Sequence, residues 1–288
     1  MEENVQVLEE SAGALYERSK TDAELTKFLL QSSTEAGEYE AALIFAQNLE
    51  KLMPDSYVPV HAKYTVLLQK GDMGEAGMCL AEAQEQFRTD PNYITDRLAY
   101  TIEVMGTAAA RKYLDKIHDV PAFESERFLE LCARIYNAEG EEMNCIKCLY
   151  ILHKQYQSEK ARFLLAVKSA EHHLYEAALK WYVTVINGYS GSAEYFMSLA
   201  GRSSMLQLLD RDNWREEMVK VANQIDLVSV THTTNLWLRT ISAGLWEVLG
   251  QEENATCNRK VIDLLQAYCE NPEQYIRNAQ NHEQRDNP

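Results

Sequence analysis

Two short clusters in this chain carry atoms able to hold a metal or exchange electrons. Cys145-Ile146-Lys147-Cys148 has the spacing of a redox pair or of half a zinc site. A structural zinc takes four ligands, and no second Cys or His pair stands at a matching spacing. Cys145 also falls at a small core position of the helical pattern, with Cys148 one residue before Leu149, and a free thiol there behaves as a small apolar side chain. His172-His173 sits at a turn between helices, and adjacent helical positions point about 100° apart, a poor geometry for two ligands. No Gly-rich loop ending in Lys-Ser/Thr, no Gly-x-Ser-x-Gly and no HExxH occurs. These readings predict no catalytic, metal or cofactor site, and leave an enzyme on a helical scaffold as the weakest alternative.

What remains is the chemistry of recognition. The 288 residues carry 44 Asp and Glu against 28 Lys and Arg, a net charge of −16. Phosphate backbones are held by Lys and Arg, so this balance argues against direct nucleic-acid binding and against anionic membranes. No run reaches the roughly 18 apolar residues of a membrane span. The acidic start Met1-Glu2-Glu3-Asn4 does not read as an export signal, so the six cysteines are expected as reduced thiols in the cytoplasm. A protein or peptide is the expected partner.

The elements that must position these groups are helices. With 46% hydrophobic residues but only 12 Gly and 6 Pro, the chain lacks the turn-formers an all-β fold of this length needs. Gly37, Gly71, Gly106 and Gly140 follow one another at intervals of 34, 35 and 34 residues. His173 comes 33 later, in a segment (His173-Leu174-Tyr175-Glu176-Ala177-Ala178) that repeats Gly37-Glu38-Tyr39-Glu40-Ala41-Ala42 without its glycine. Such a period marks a repeat architecture. A glycine ends a helix cheaply in the left-handed conformation, and the small residues after it let two helices approach. In the first unit Leu29 and Leu30 precede the turn, while Ala42, Ala46, Leu49 and Leu52 hold one face of the second helix.

On these residues, together with Tyr39 and a closing Pro54, the chain resembles the tetratricopeptide (TPR) family. The resemblance implies an all-α, right-handed solenoid of antiparallel helix pairs, about seven in all. Residues 1–22 are expected as an N-terminal capping helix and 23–191 as five TPR-like repeats. Residues 192–270 would be two degenerate pairs, and 271–288 a polar tail. Pro91 reads as closing the second unit three residues late, and Pro121 as closing the third, whose register requires one residue fewer in its turn. The linker Asp210–Asn213 lacks a glycine, and 226–234 is the expected break in regularity.

In TPR-like proteins the first helix of each pair lines a concave face. That register places Lys27, Gln31 and His61 there, then Tyr93, Asp96, Arg97, Tyr100 and Glu103. Arg127, Arg134, Asn137 and Phe163 complete the partner-binding candidates. Tyr93, Tyr100 and Phe163 would serve as aromatic anchors. Arg127 and Arg134, two helical turns apart, would grip carboxylates or else pair locally with Glu130. Of the five positions of a chaperone-type carboxylate clamp only Lys27 and Arg97 match. The expected function is a non-catalytic scaffold or adaptor subunit of a hetero-complex. A peptide-sensing or chaperone-type regulator is the alternative, although only about 22 residues precede the first repeat, too few for a DNA-reading domain.

Overall fold

A computed structural model of the chain describes residues 12–117, 125–188, 191–231 and 236–270. All its regular structure there is helical. Helix α1 covers residues 12–19. Seven pairs follow: α2 (Ala23–Glu35) with α3 (Tyr39–Leu52), α4 (Val58–Lys70) with α5 (Met73–Phe87), and α6 (Pro91–Met105) with α7 (Thr107–Lys116). Then come α8 (Glu126–Ala138) with α9 (Glu142–Tyr156), and α10 (Glu159–Glu171) with α11 (Tyr175–Gly188). Helices α12 (Ala193–Leu208) with α13 (Trp214–Thr231), and α14 (Leu236–Val248) with α15 (Glu252–Glu270), complete the series.

Between the helices of every pair stands a residue of positive φ: Gly37, Gly71, Gly106, Gly140, His173, Asp210 and Gly250, at 50° to 83°. In six of these turns the next amide donates to a carbonyl five residues back. Glu38 N reaches Ser33 O at 2.8 Å, Leu174 N reaches Ser169 O at 2.9 Å, and Arg211 N reaches Leu206 O at 3.0 Å. These bonds satisfy carbonyls that a helix end otherwise leaves unpaired, and they turn the chain by the same amount each time. His173 and Asp210 therefore take the glycine's backbone role with a side chain attached. Gly106 is the exception: with ψ 172° it caps α6 and opens α7 by itself, the shortened turn the third unit's register requires.

Helix starts are set as locally. Asp22, Asp90, Ser125, Ser158 and Ser192 each accept a backbone N–H of the first turn of α2, α6, α8, α10 and α12, an N-cap that stabilises a helix by about 1 kcal/mol. Pro91 follows its cap Asp90 as the first residue of α6, where a missing N–H is harmless. It does not close the preceding helix, as its position in the sequence suggests; α5 has already ended at Phe87. The expected irregularity at 226–234 is also absent as far as Thr231, because α13 runs through to that residue; 232–235 lie outside the described residues. So do Pro121, residues 1–11 of the N-terminal segment and the whole of 271–288.

The chain divides into two compact units, 1–145 and 146–288, the division falling within α9. Inside the first, each helix from α2 to α8 packs on the next, and each first helix also packs on the following first helix (α2 on α4, α4 on α6, α6 on α8). The second unit repeats this from α10 to α15, with α10 on α12 and α12 on α14. Small buried residues sit at the contacts: Ala42 and Ala46 in α3, Ala76 and Ala83 in α5, Ala178 in α11 and Ala222 in α13. Their size brings backbones close enough for Leu49, Leu80, Leu98 and Val185 to fill the space between pairs.

The turn can be tested without disturbing packing, because a Cβ at Gly71 would meet nothing within 4 Å. Gly71→Val is expected to lower stability by about 1–2 kcal/mol through backbone strain alone. His173→Gly, which removes the same strain, is expected to cost nothing or to stabilise by up to about 1 kcal/mol. Urea midpoints of the two variants measure this; a loss in His173→Gly equal to that in Gly71→Val would contradict the turn's role.

Candidate interaction surfaces

Three of the first helices of the 1–145 unit are tied together by one buried carboxylate. Asp96, in the second turn of α6, has no exposed side-chain surface, and a buried charge persists only when it is paired. Three donors surround it. The Tyr57 hydroxyl, at the start of α4, donates to Oδ2 at 2.9 Å, His61 Nδ1 on α4 lies 2.6 Å from the same oxygen, and Arg127 Nη1 on α8 donates to Oδ1 at 2.8 Å. A single side chain thus fixes α4, α6 and α8 relative to one another. Burial, and after it the Asp96 charge, pushes the Tyr57 and Tyr64 phenols well above their usual range, which keeps both neutral as donors. Two turns further along, Arg134 of α8 donates to Glu103 of α6 at 2.7 Å.

Two recesses flank this framework. The first, about 400 Å³, lies between α2 and α4, with Lys27, Gln31, Thr34, His61, Thr65 and Gln69 around an apolar floor of Leu30, Leu49 and Val66. The second, about 820 Å³, is floored by α6 (Tyr93, Arg97, Thr101, Met105) and walled by the end of α5 (Gln84, Arg88) and by α7 (Ala108, Ala109, Lys112, Tyr113, Lys116). Helix α7 has ten residues and begins after a one-residue turn, and the recess lies along its face toward α6.

The structure separates the candidate residues accordingly. Lys27, Gln31 and His61 come together at the α2–α4 hollow. Lys27 meets Glu24 at 2.7 Å, and Gln31 donates to Glu35 at 2.8 Å. Tyr93 and Arg97 belong instead to the α5–α6–α7 cavity, and Tyr93 is only 2% exposed, stacked edge-on against Tyr57. Tyr100 lies across α5: its hydroxyl donates to Met73 O at 3.1 Å, and its ring occupies the space a Cβ at Gly77 would need. Neither tyrosine is thus a free anchor. Arg127 and Arg134 meet carboxylates of the preceding first helix, Asp96 and Glu103, rather than Glu130. Asn137 is exposed in the last turn of α8. Phe163, in the second unit, is half-buried and packs toward Tyr182, with ring centroids 6.2 Å apart.

Sequence reasoning placed Asp96 on the groove but missed its role, which needs the contact across 31 and 35 residues to be seen. It also missed Arg88, Lys112, Lys116 and Tyr113; the i, i+4 spacing of the two lysines on α7 is the one signal that could have drawn attention to them. Cys79, Cys132, Cys145 and Cys148 are buried thiols while Cys257 and Cys269 are exposed. Burial pushes the Cys79 thiol up to about 11. Among the described residues no group of His, Cys, Asp or Glu is arranged to hold a metal ion.

Arg127 and Arg134 occupy equivalent positions two turns apart yet face different energetics. Arg127→Ala removes a partner from a carboxylate with no access to water and is expected to cost about 2 kcal/mol. Arg134→Ala breaks a pair whose members are each about half exposed, 55% and 52%, and is expected to cost under about 0.5 kcal/mol. Denaturant midpoints compare them; equal losses would mean Asp96 does not organise the unit.

No protein-family model matches this chain, and no curated protein is significantly similar to it in sequence. Solved structures are similar to it in backbone. PilF of Pseudomonas aeruginosa superposes with a TM-score of 0.56 at 14% identity, over 70% of this chain and 91% of its own. A tetratricopeptide repeat protein from Parabacteroides merdae gives 0.55 at 14% identity, over 84% and 93%. The Cut9–Hcn1 hetero-tetramer of APC/C gives 0.54 at 12% identity, over 88% of this chain and 53% of the matched one. Identities this low speak for fold alone. Antiparallel helix pairs repeated on one turn, with first helices laid on the next within each unit, agree with that likeness: the chain has a tetratricopeptide-like, all-α helical-repeat fold.

Proposed function

We propose that this chain is a non-catalytic protein-interaction module, a scaffold or adaptor subunit that holds a helix or extended segment of a partner protein on the first helices of its 1–145 unit. The observation that carries this reading is the hollow between α2 and α4. It combines an apolar floor (Leu30, Leu49, Val66) with a rim of amide, hydroxyl, imidazole, ammonium and carboxylate (Glu35) groups, the composition of a surface that buries apolar side chains while fixing their orientation. Stacked repeats suit this task because each pair adds contact surface without changing its neighbours.

The net charge of −16 favours a protein over a nucleic acid as partner. Among the described residues no helix is long and apolar enough to cross a membrane, and we place the chain in the cytoplasm. The fold likeness to Cut9–Hcn1, itself a hetero-tetramer, supports a place in a hetero-complex by analogy of architecture.

A photo-crosslinking amino acid at Gln69, exposed on the rim of the hollow, tests this against the same group at Glu85, exposed on the second helix α5. In extract from the source cells the Gln69 probe is expected to capture one discrete partner that the Glu85 probe does not. Capture of that partner should fall several-fold in the Gln31→Arg variant, which crowds the hollow. Indistinguishable cross-linking from the two probes would overturn the assignment of this face.

A further inference from the structure

The α5–α6–α7 cavity differs in charge from the chain around it. Arg88, Arg97, Lys112 and Lys116 line it, with no Asp or Glu among its described lining residues, in a chain that carries 44 acidic side chains. Several arginines elsewhere in the molecule are matched: Arg111 pairs with Asp115 and Glu141, Arg127 with Asp96, Arg134 with Glu103 and Arg211 with Glu176. None of the four cavity cations has an ion pair among the described residues; Arg97 only approaches the Tyr100 ring, at 6.0 Å. Four unneutralised charges delivered by three different helices to one recess concentrate anions there.

The rest of the lining narrows the ligand. Between the cations lie the rings of Tyr93 and Tyr113 and the apolar side chains of Met105, Ala108 and Ala109. Burial pushes the Tyr113 phenol up to about 12, so its ring is an uncharged wall. A free inorganic anion would leave this apolar surface bare, since about 820 Å³ is the size of a site for a much larger ligand. A nucleic acid would satisfy the four cations, but its further phosphates would run onto a strongly acidic surface. A short stretch of carboxylates around an apolar residue satisfies both parts of the lining and carries little charge beyond them.

We propose that this cavity binds an acidic segment of a partner protein, with carboxylates on Arg88, Arg97, Lys112 and Lys116 and an apolar side chain against Tyr113 and Met105. The site extends the interaction reading to a second surface, built where α6 meets the second helices α5 and α7 and separate from the α2–α4 hollow.

The test uses the full chain and a fluorescein-labelled octapeptide of six glutamates around a central Phe-Leu, followed by anisotropy. Saturable binding is expected, weakening as salt is raised, while the same peptide with lysines for glutamates should not bind. Lys112→Glu combined with Lys116→Glu, both exposed and unpaired, is expected to weaken binding at least about tenfold. Lys51→Glu combined with Lys260→Glu, which adds the same charge outside the cavity, should change it less than about twofold. Circular dichroism of both double variants confirms that the helices persist. Absence of saturable binding, equal loss in the two double variants, or tighter binding of an eight-nucleotide thymidine strand would each overturn the proposal. The Gln69 cross-link reports the α2–α4 hollow separately, so either surface can fail while the other stands.

Discussion

The structure depends on a backbone constraint: after each first helix, one residue must take a positive φ. For an L-amino acid with a side chain this costs about 1–2 kcal/mol, and for glycine almost nothing. Once it is taken, the hydrogen bond from the next amide back into the helix fixes the exit direction in six of the seven pairs, so the second helix leaves antiparallel and at the same distance in each of them. The close packing of Ala42, Ala76 and Ala178 at 0% exposure is possible only because that distance is reproduced. The turn changes at Gly106, with its extended ψ of 172°, and the α5–α6–α7 recess lies along the pair it joins.

Polar ties then lock the repeats in register. In the first unit Asp96 gathers donors from α4 and α8. In the second, Asp226 of α13 accepts from Ser242 at 2.6 Å and Trp246 Nε1 at 2.9 Å on α14, and from Asn258 at 3.1 Å on α15. Both carboxylates bridge three consecutive or alternate helices, and Asp96, fully buried, and Asp226, half-buried, each have their charge distributed over several donors, the condition under which an acid is tolerated away from water. Apolar contacts alone would permit helices to slide by a turn at little cost; a buried carboxylate permits one register.

Much of the fold was legible in the sequence because its cause is local. The glycine period, the alanines after it and the amphipathic spacing each report on a few neighbouring residues, and the structure places a turn at every one. His173 could be found from the repeated segment around it, whereas Asp210 offered no such context and its linker looked merely irregular. Pro91 was misleading for a physical reason: a proline is as well suited to open a helix as to follow one. The candidate sites were less legible because they depend on contacts over about 30 residues. That Arg127 and Arg134 are held by the preceding first helix, that Tyr93 is buried at a tyrosine cluster, and that Arg88 joins Lys112 and Lys116 around one recess all follow from how pairs stack. Spacing within a single helix does not contain that information.

The central claim is that one turn conformation, independent of residue type, closes the first helix in six of the seven pairs, and the two non-glycine positions expose it most directly. Selective isotope labelling of histidine and aspartate, with cross-correlated relaxation measured at the backbone of His173 and Asp210 in the intact chain, reads φ for both residues. The account predicts positive values, near the 59° and 50° of the structure. Negative φ at either residue, continuing the helix or extending the chain, would contradict it.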